Sequence, residues 1–226
     1  MGASVEHSQS PSIHNAWLRA NERPERFGAV NVPDSRGALR LLTTAAGRIG
    51  LHGISITNPH KENAVSCCEP DEWARKTGAV NCMRLGERNE GTNTDVTALL
   101  RLLKGAGETA MVLGAGGAAR AAIVACKELG MDVQVSCRNP ERGAAVAELG
   151  ATFVPWEARG KDVDVLIQAT PADDITYDGA FTTLLEMVYK SETALAATHT
   201  GSVITGTQLL EEQARDAYAY WFGASP

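Results

Sequence analysis

A glycine-rich turn between an apolar run and a helical one is the feature of this sequence best suited to binding a charged ligand. Gly114, Gly116 and Gly117 follow the run TAMVL and precede AARAAIVACKEL. Gly114 permits a tight turn, Gly116 lets the backbone approach a pyrophosphate, and the free N–H groups that begin the helix attract its negative charge. Ala119 fills the last position of the GxGxxG/A pattern. The pattern predicts a dinucleotide site; the alternative is a loop without a ligand.

Two arginines follow the next predicted strand, in the segment SCRNPER. A site for NAD usually has Asp or Glu there to bind the ribose 2′-hydroxyl, whereas Arg138 and Arg142 stand where a 2′-phosphate would lie. Guanidinium groups pair with phosphate through charge and a planar fork of donors. The sequence therefore favours NADP over NAD. The alternative for these arginines is a solvated helix start.

Composition excludes several classes of function. The net charge is −6 and no dense run of Lys or Arg is present, which argues against a nucleic-acid partner. The five cysteines are odd in number and lack CxxC spacing, as in reduced cytoplasmic proteins. Neither a spanning apolar stretch nor a secretion signal is evident, so we expect no membrane association. His14 and His60 lack metal-ligand spacing and are interpreted as structural, and no metal is expected.

Alternating strand-like and helical runs predict the elements that position these residues. In the first half, the runs from Phe27 to Val32, Leu51 to Thr57 and Gly78 to Leu85 read as strands, and Asp34 as the N-cap of a helix. Helices and strands in alternation favour βαβ units and a mostly parallel sheet. A helix is predicted within GTNTDVTALLRLLKGAG, and its Gly-rich end marks a domain boundary.

The second half repeats the alternation. Strands are predicted at TAMVL, DVQVSC, ATFV and DVLIQAT, and helices from about Gly116 to Leu129 and at PERGAAVAELG. An amphipathic helix is predicted from Thr207 to the C-terminus. We expect an α/β fold with two domains: residues 1–102, against which 207–226 pack back, and residues 103–206.

Polar clusters at predicted strand ends occur in a recognisable order. They are HSQSPSIHN, SITNPHKE, GAVN and GTNTD, all ahead of GAGGAAR. Over nearly the whole chain, this order resembles the shikimate dehydrogenase family. The resemblance implies an N-terminal α/β substrate domain, a C-terminal Rossmann-like domain that binds NADP, and reduction of 3-dehydroshikimate to shikimate, with quinate or aminoshikimate dehydrogenase relatives as an alternative.

The resemblance implies a role for individual residues. Lys61 and Asp95 match the catalytic pair. The substrate would be bound by Ser8, Ser10, Thr57, Asn81, Tyr189 and Gln213. The cofactor would be bound by Gly114, Ala115, Gly116, Gly117, Ala118, Arg138, Asn139, Arg142, Thr170 and Gly206. Because a reduced ketone gains negative charge on its oxygen, Lys61 is the candidate that supplies a proton or stabilises the alkoxide, and Asp95 would hold its ammonium in place.

Three of these residues also have a structural interpretation. Ser10 before Pro11 is an ordinary helix start with Ser as N-cap, Lys61 in isolation resembles a surface lysine, and Asp95 could be an N-terminal helix charge. A ligand-binding or regulatory protein of the same fold, without turnover, is thus a further alternative.

The sequence also departs from the family pattern. Ser55 replaces an Asn, QATPADD replaces NATPxGM with loss of its Gly and Met, and Glu186 stands where Asp is usual. Almost nothing precedes Gly2, where the family has a strand. We therefore expect either a domain of a longer, fused polypeptide or a substrate sheet lacking one member. The expected partner is a small-molecule substrate, and the expected state a monomer or homodimer.

Overall fold

The computed structural model describes residues 1–33, 36–46, 50–189 and 192–226. Its helices are α1 Ser10–Ala20, α2 Arg36–Ala46, α3 Glu72–Thr77, α4 Thr94–Leu102, α5 Gly117–Glu128, α6 Pro140–Ala147, α7 Ala194–Thr198 and α8 Gly206–Phe222. Its strands are β1 Gly53–Ser55, β2 Glu69–Pro70, β3 Cys82–Arg84, β4 Glu90–Thr92, β5 Thr109–Leu113, β6 Asp132–Ser136, β7 Thr152–Phe153, β8 Val165–Gln168, β9 Thr183–Glu186 and β10 Ser202–Ile204. The predicted N-cap at Asp34 lies outside the described residues.

The fold is α/β, and the chain divides into two compact units. The first comprises Met1–Thr94 with Leu210–Pro226, and the second comprises Asp95–Leu209. Helix α8 therefore begins in the second unit and ends in the first. Its buried residues include Leu210, Ala214 and Tyr218, at the helical spacing that predicted an amphipathic helix here.

The first unit contains a mixed sheet, which corrects the prediction of a mostly parallel one. Its described strands run in the order β1-β3-β4-β2, and only β2 and β4 are parallel. The cause is the short polar turn between Arg84 and Glu90, since antiparallel strands can be joined by a tight turn whereas parallel strands need a long crossover. The core between this sheet and the surrounding helices includes Leu39, Ile54 and Met83.

The strand predicted from Phe27 to Val32 was wrong. Only Asn31 is paired, in an isolated parallel bridge with Gly2. The backbone of Phe27 is satisfied by a side chain instead: its N–H donates to Oδ1 of Asn15 over 2.9 Å, and its carbonyl accepts from Nδ2 of the same residue over 2.8 Å. A side chain that offers both a donor and an acceptor can replace the strand partner that this extended segment lacks.

The second unit contains a parallel sheet in the order β10-β9-β8-β5-β6-β7. Strands β5, β6, β7 and β8 and helices α5 and α6 confirm the predicted alternation, whereas β9 and β10 were not predicted. The strands read as continuous apolar runs because helices cover the sheet. Met111, Leu166 and Leu184 are fully buried in this core.

Candidate functional site

The glycine turn lies at the switch point of the parallel sheet. After β5 the chain builds β6 and β7 on one side, then returns to place β8 on the other side of β5. Open α/β sheets bind ligands at this position, where the carboxyl ends of strands diverge to leave a crevice. The turn after β5 begins at Gly114 and the turn after β8 begins at Ala169. The two turns therefore flank the position at which a ligand is expected.

Gly114 cannot be replaced by a residue with a side chain without moving backbone. Its φ is +131°, and an added Cβ would lie 2.8 Å from the carbonyl oxygen of Ala169. Its N–H donates to the carbonyl of Ser136 over 2.9 Å, and the N–H of Ala169 donates to that of Leu113 over 2.9 Å. The turn is thus held against both neighbouring strands by backbone alone.

Helix α5 begins immediately after this turn with its first amides uncovered by a side chain. Gly116 is the N-cap, in an extended conformation and without a side-chain capping bond. A Cβ added at Gly116 would meet no described atom within 4 Å. The space beside Gly116, together with the N–H groups of Gly117 and Ala118 in the first turn, suits a diphosphate. The residues present thus fit a dinucleotide.

The two arginines lie beyond the end of β6, and one of them reaches the glycine turn. Asn139 caps α6, its Oδ1 accepting from the N–H of Arg142 over 3.0 Å. Nη2 of Arg142 approaches the carbonyl oxygen of Ala115 at 3.4 Å, while Arg138 is exposed. The structure therefore brings Arg142 to the turn while both arginines remain exposed to solvent, an arrangement that fits a phosphate on the adenosine ribose.

Thr170 lies in the turn after β8. Its N–H and its hydroxyl both donate to Oε1 of Gln168, over 3.2 and 3.1 Å. Since Ala169 contacts the glycine turn, Thr170 lies close to the same edge of the sheet. Sequence reasoning noted Gln168 only as part of the segment QATPADD, although a polar residue at the end of the apolar run VLIQ was a signal.

Tyr189 and Gly206 are brought near one another by Val188. A Cβ added at Gly206 would collide with the backbone carbonyl of Val188. Tyr189 is half-buried, and burial raises the pKa of its phenol. Glu186 is buried and its Oε1 accepts from the N–H of Val188 over 3.3 Å. Burial raises the pKa of Glu186, a residue that sequence reasoning noted only as a departure from the family pattern.

In the first unit, a backbone hydrogen bond places Lys61 beside Val80, the residue before Asn81. The N–H of Val80 donates to the carbonyl of Lys61 over 2.8 Å, and the carbonyl of Asn81 accepts from Ile56 over 2.7 Å. Lys61 is half-buried and Thr57 is exposed. The turn that precedes Lys61 is fixed by His60, which is fully buried and whose Nε2 lies 3.0 Å from the carbonyl oxygen of Val32.

Asn81 and Gln213 are joined by a residue that sequence reasoning did not single out, Thr94. Nδ2 of Asn81 donates to Oγ1 of Thr94 over 3.0 Å, and its Oδ1 accepts from the N–H of Thr94 over 2.8 Å. Oγ1 of Thr94 lies 3.3 Å from Oε1 of Gln213. The available signal was the position of Thr94, directly before Asp95 in the NTD segment.

The serines near the N-terminus lie at the start of α1, but Ser10 is not its N-cap, which corrects the capping alternative. The N-cap is Gln9, it makes no side-chain capping bond, and Ser10 is the first helical residue. The N–H of Ser10 instead donates to Oγ of Ser8 over 3.3 Å. Both serines are half-buried.

Asp95 is the second residue of α4 and is 6% exposed. A carboxylate in the first turn is favoured by the helix dipole, so part of the role of Asp95 is structural. Asp95 belongs to the second unit and Lys61 to the first.

The described residues contain no cluster of three or more His, Cys, Asp or Glu side chains suited to a metal ion. Among the same residues, no helix combines the length and the apolar character that crossing a membrane requires.

Known proteins are similar to this chain in both of its halves. The family model for the shikimate dehydrogenase substrate binding domain matches residues 1–83. The NADP(+) shikimate dehydrogenase of Acidiphilium cryptum is 34% identical, over 100% of this chain and 90% of its own length. That of Archaeoglobus fulgidus is 32% identical, over 100% of this chain and 92% of its own.

Solved structures extend the similarity to the fold. The crystal structure of shikimate 5-dehydrogenase from Thermus thermophilus, in complex with NADP(H) and shikimate, matches with a TM-score of 0.88 and 30% identity. The match covers 100% of this chain and 92% of that one. Given these identities over its full length, the chain belongs to the shikimate dehydrogenase family.

Proposed function

We propose that this protein catalyses the reversible, NADP-dependent reduction of 3-dehydroshikimate to shikimate. The observation that carries the proposal is the match, over the whole chain, to a structure solved with both NADP(H) and shikimate. Because the match spans both units, it supports a substrate-binding role as well as a nucleotide-binding one. The chain's own glycine turn, uncovered helix start and nearby Arg142 supply independent support for the cofactor.

The second unit is proposed to hold the cofactor. The amides at the start of α5 would bind the pyrophosphate, and Arg138 and Arg142 the 2′-phosphate, with Asn139 fixing the start of α6 between them. Bound NADPH supplies the hydride. Thr170 and Gly206 would contact the same cofactor from the ends of neighbouring segments.

Most of the proposed substrate contacts lie in the first unit. Ser8 and Ser10 would donate hydrogen bonds to the carboxylate, and the amides of Asn81 and Gln213 would meet ring hydroxyls. The others are Thr57 of the first unit and Tyr189 of the second. Fixed amide groups suit this task because the Asn81 and Gln213 side chains are already oriented by Thr94.

Lys61 and Asp95 are proposed to carry the chemistry as an ammonium and a carboxylate. As the ketone carbon accepts a hydride, Lys61 donates a proton to the ketone oxygen, which becomes a hydroxyl, and Lys61 regains a proton from solvent. Asp95 would hold the ammonium of Lys61 in place and orient a ring hydroxyl. In the opposite direction Lys61 first releases a proton to solvent, and its neutral amine then accepts the proton of the substrate hydroxyl.

We further propose that the enzyme acts as a monomer or homodimer in the cytoplasm. The compartment is supported by its five cysteines, all of which lie in the described part of the chain and are free thiols. Unpaired thiols are typical of a reducing environment.

A steady-state assay tests the function. The protein is supplied with NADP+ and either shikimate or quinate, and the absorbance of reduced nicotinamide is followed, with NAD+ in parallel. Turnover with shikimate and NADP+ is expected to be the fastest of these combinations. Preference for quinate would reassign the substrate, and shikimate binding without turnover would indicate a regulatory protein.

A further inference from the structure

Two buried polar residues end neighbouring strands in the second unit. Gln168, the last residue of β8, and Glu186, the last residue of β9, are direct partners in the parallel pairing of the two strands. They are 0% and 4% exposed. Because polar groups in such positions destabilise a fold unless they are hydrogen-bonded, the bonds that they make should explain their presence.

Both the oxygen and the nitrogen of the Gln168 side-chain amide form hydrogen bonds with the turn that follows β8. Oε1 accepts from the N–H and the hydroxyl of Thr170, and Nε2 donates to the carbonyl of Ala172 over 2.7 Å. The turn is therefore closed around one side chain. Its other face contacts the glycine turn, since Gly114 and Ala169 touch there.

Glu186 does the same for the segment that follows β9. One carboxylate oxygen accepts from the N–H of Val188 and the other from the hydroxyl of Thr193. Thr193 in turn caps α7, its Oγ1 accepting from the N–H of Ala196 over 3.2 Å. Val188 directly precedes Tyr189 and contacts Gly206. The carboxylate thus fixes the backbone of Val188, which lies next to the proposed site residues Tyr189 and Gly206.

The strand order indicates which part of a dinucleotide meets these segments. Arg138 and Arg142 follow β6 and the glycine turn follows β5, so a cofactor with its 2′-phosphate at the arginines and its pyrophosphate at the turn runs from β6 towards β8 and β9. Its nicotinamide end is then the part beside the segments that Gln168 and Glu186 hold.

We propose that Gln168 and Glu186 are a pair of positioning residues, which together set the separation of the Thr170 and Val188 segments and so orient the nicotinamide end of NADP. The inference rests on the proposed function. Both residues are one methylene longer than the Asn and Asp of the family pattern, and they are neighbours in register. A matched lengthening preserves the spacing between two segments where a single one would change it.

Shortening variants test the pair: Gln168→Asn, Glu186→Asp and the double variant. Each single variant is expected to lower kcat/KM for NADP by tenfold or more, up to about a hundredfold, since small misplacements of reacting groups are that costly. The double variant is expected to lose less than the product of the two single losses, because the two residues are direct neighbours in register and neighbouring residues couple. Glu148→Asp, at an exposed position of the same unit, is the matched control and should behave as wild type.

A second readout separates positioning from general damage. Adenosine 2′,5′-bisphosphate, the adenosine half of NADP, should bind all variants with the wild-type Kd, because its contacts lie at Arg138, Arg142 and the glycine turn. Should the single variants fail to fold, Thr193→Val and Thr193→Ser test the same hydrogen bond. The serine variant should keep wild-type activity, and the valine variant should lose it in the manner of Glu186→Asp.

Three results would overturn the proposal that the two residues act as a pair. They are wild-type kinetics in the single variants, losses that simply multiply in the double variant, and an equally large weakening of adenosine 2′,5′-bisphosphate binding. These results are distinct from failure of the proposed function. In that case the wild-type protein itself would show no turnover of shikimate with NADP+.

Discussion

Oγ1 of Thr94 lies 3.3 Å from Oε1 of Gln213, a residue 119 positions later in the chain. The same hydroxyl contacts the side-chain amide of Asn81, so two side chains proposed to bind substrate share one buried neighbour. Thr94 is itself the first residue of α4, directly before Asp95. The beginning of α4 therefore serves to align one side chain that directly precedes β3 and another from α8.

Replacement of Thr94 by Val should remove this alignment while keeping the shape of the side chain. Loss of a buried hydrogen bond should lower the free energy of unfolding by about 1–3 kcal/mol. The KM for shikimate should rise about tenfold, since roughly 1.4 kcal/mol corresponds to that factor, whereas the KM for NADP should change little. Thr94→Ser retains the hydroxyl and is the control. Equal effects on both KM values would contradict the assignment of Thr94 to the substrate half.

Lys61→Ala should lower kcat by orders of magnitude with a smaller change in shikimate affinity, because a proton donor acts mainly in the transition state. Lys104→Ala removes an exposed lysine and should leave the kinetics unchanged. The measurement is kcat together with the Kd of shikimate from calorimetry. An unaltered kcat in Lys61→Ala would remove this residue from the mechanism.

Arg138→Ala should raise the KM for NADP by about tenfold to a hundredfold, the range expected for a charge-assisted hydrogen bond worth roughly 1.5–3 kcal/mol. The KM for NAD, which lacks the 2′-phosphate, should barely change and provides the internal control. Arg142→Ala should affect NADP in the same direction. If both cofactors weakened equally, the arginines would be assigned to the fold of the turn rather than to the phosphate.

His14 should make the fold sensitive to acid. Its ring is 1% exposed, neither ring nitrogen has a hydrogen-bond partner among the described residues, and it stacks against Phe27 with ring centroids 4.4 Å apart. Burial lowers its pKa from 6.5 to about 4. Between these values the unfolded chain binds the proton and the folded protein does not. The contribution of the neutral His14 ring to stability is therefore fully present above pH 6.5 and is lost as the pH falls towards 4.

The size of this effect follows from the shift, about 3 kcal/mol of unfolding free energy in total. Urea denaturation at neutral and acid pH should show a smaller acid loss for His14→Phe, which keeps an aromatic ring and removes the titration. His7→Gln, at an exposed position, should retain the wild-type pH dependence. An identical acid loss in wild type and His14→Phe would show that other groups account for it.

The nucleotide half could be predicted in most respects because its signals are local. The Gly114 turn, α5 and the strands on either side are contiguous in sequence. The periodicity of apolar residues and the placement of glycines within each of them predict its conformation. Strand β9 was not predicted because its apolar run is limited to Leu184 and Leu185, between Thr183 and Glu186. β10 lies at the edge of the sheet with Val203 exposed, so it lacks the apolar run of a buried strand.

The substrate half was less predictable because its arrangement depends on distant contacts. The Phe27 segment has strand-forming residues, yet Asn15 on α1 satisfies its backbone, which propensity cannot reveal. The link from Thr94 to Gln213 and the register that pairs Gln168 with Glu186 likewise join residues that no local pattern connects. Local motifs therefore indicate the side chains proposed for chemistry, but they do not indicate the residues that position those side chains, such as Thr94.

Transfer of a labelled hydrogen tests directly whether this protein oxidises shikimate with NADP+. Shikimate carrying deuterium on the carbon that bears the oxidised hydroxyl is incubated with NADP+ and the protein, and the reduced cofactor is analysed by mass spectrometry. We expect one deuterium in each NADPH formed, because the hydride passes directly from substrate carbon to nicotinamide. Formation of no NADPH, or of NADPH without the label, would contradict it.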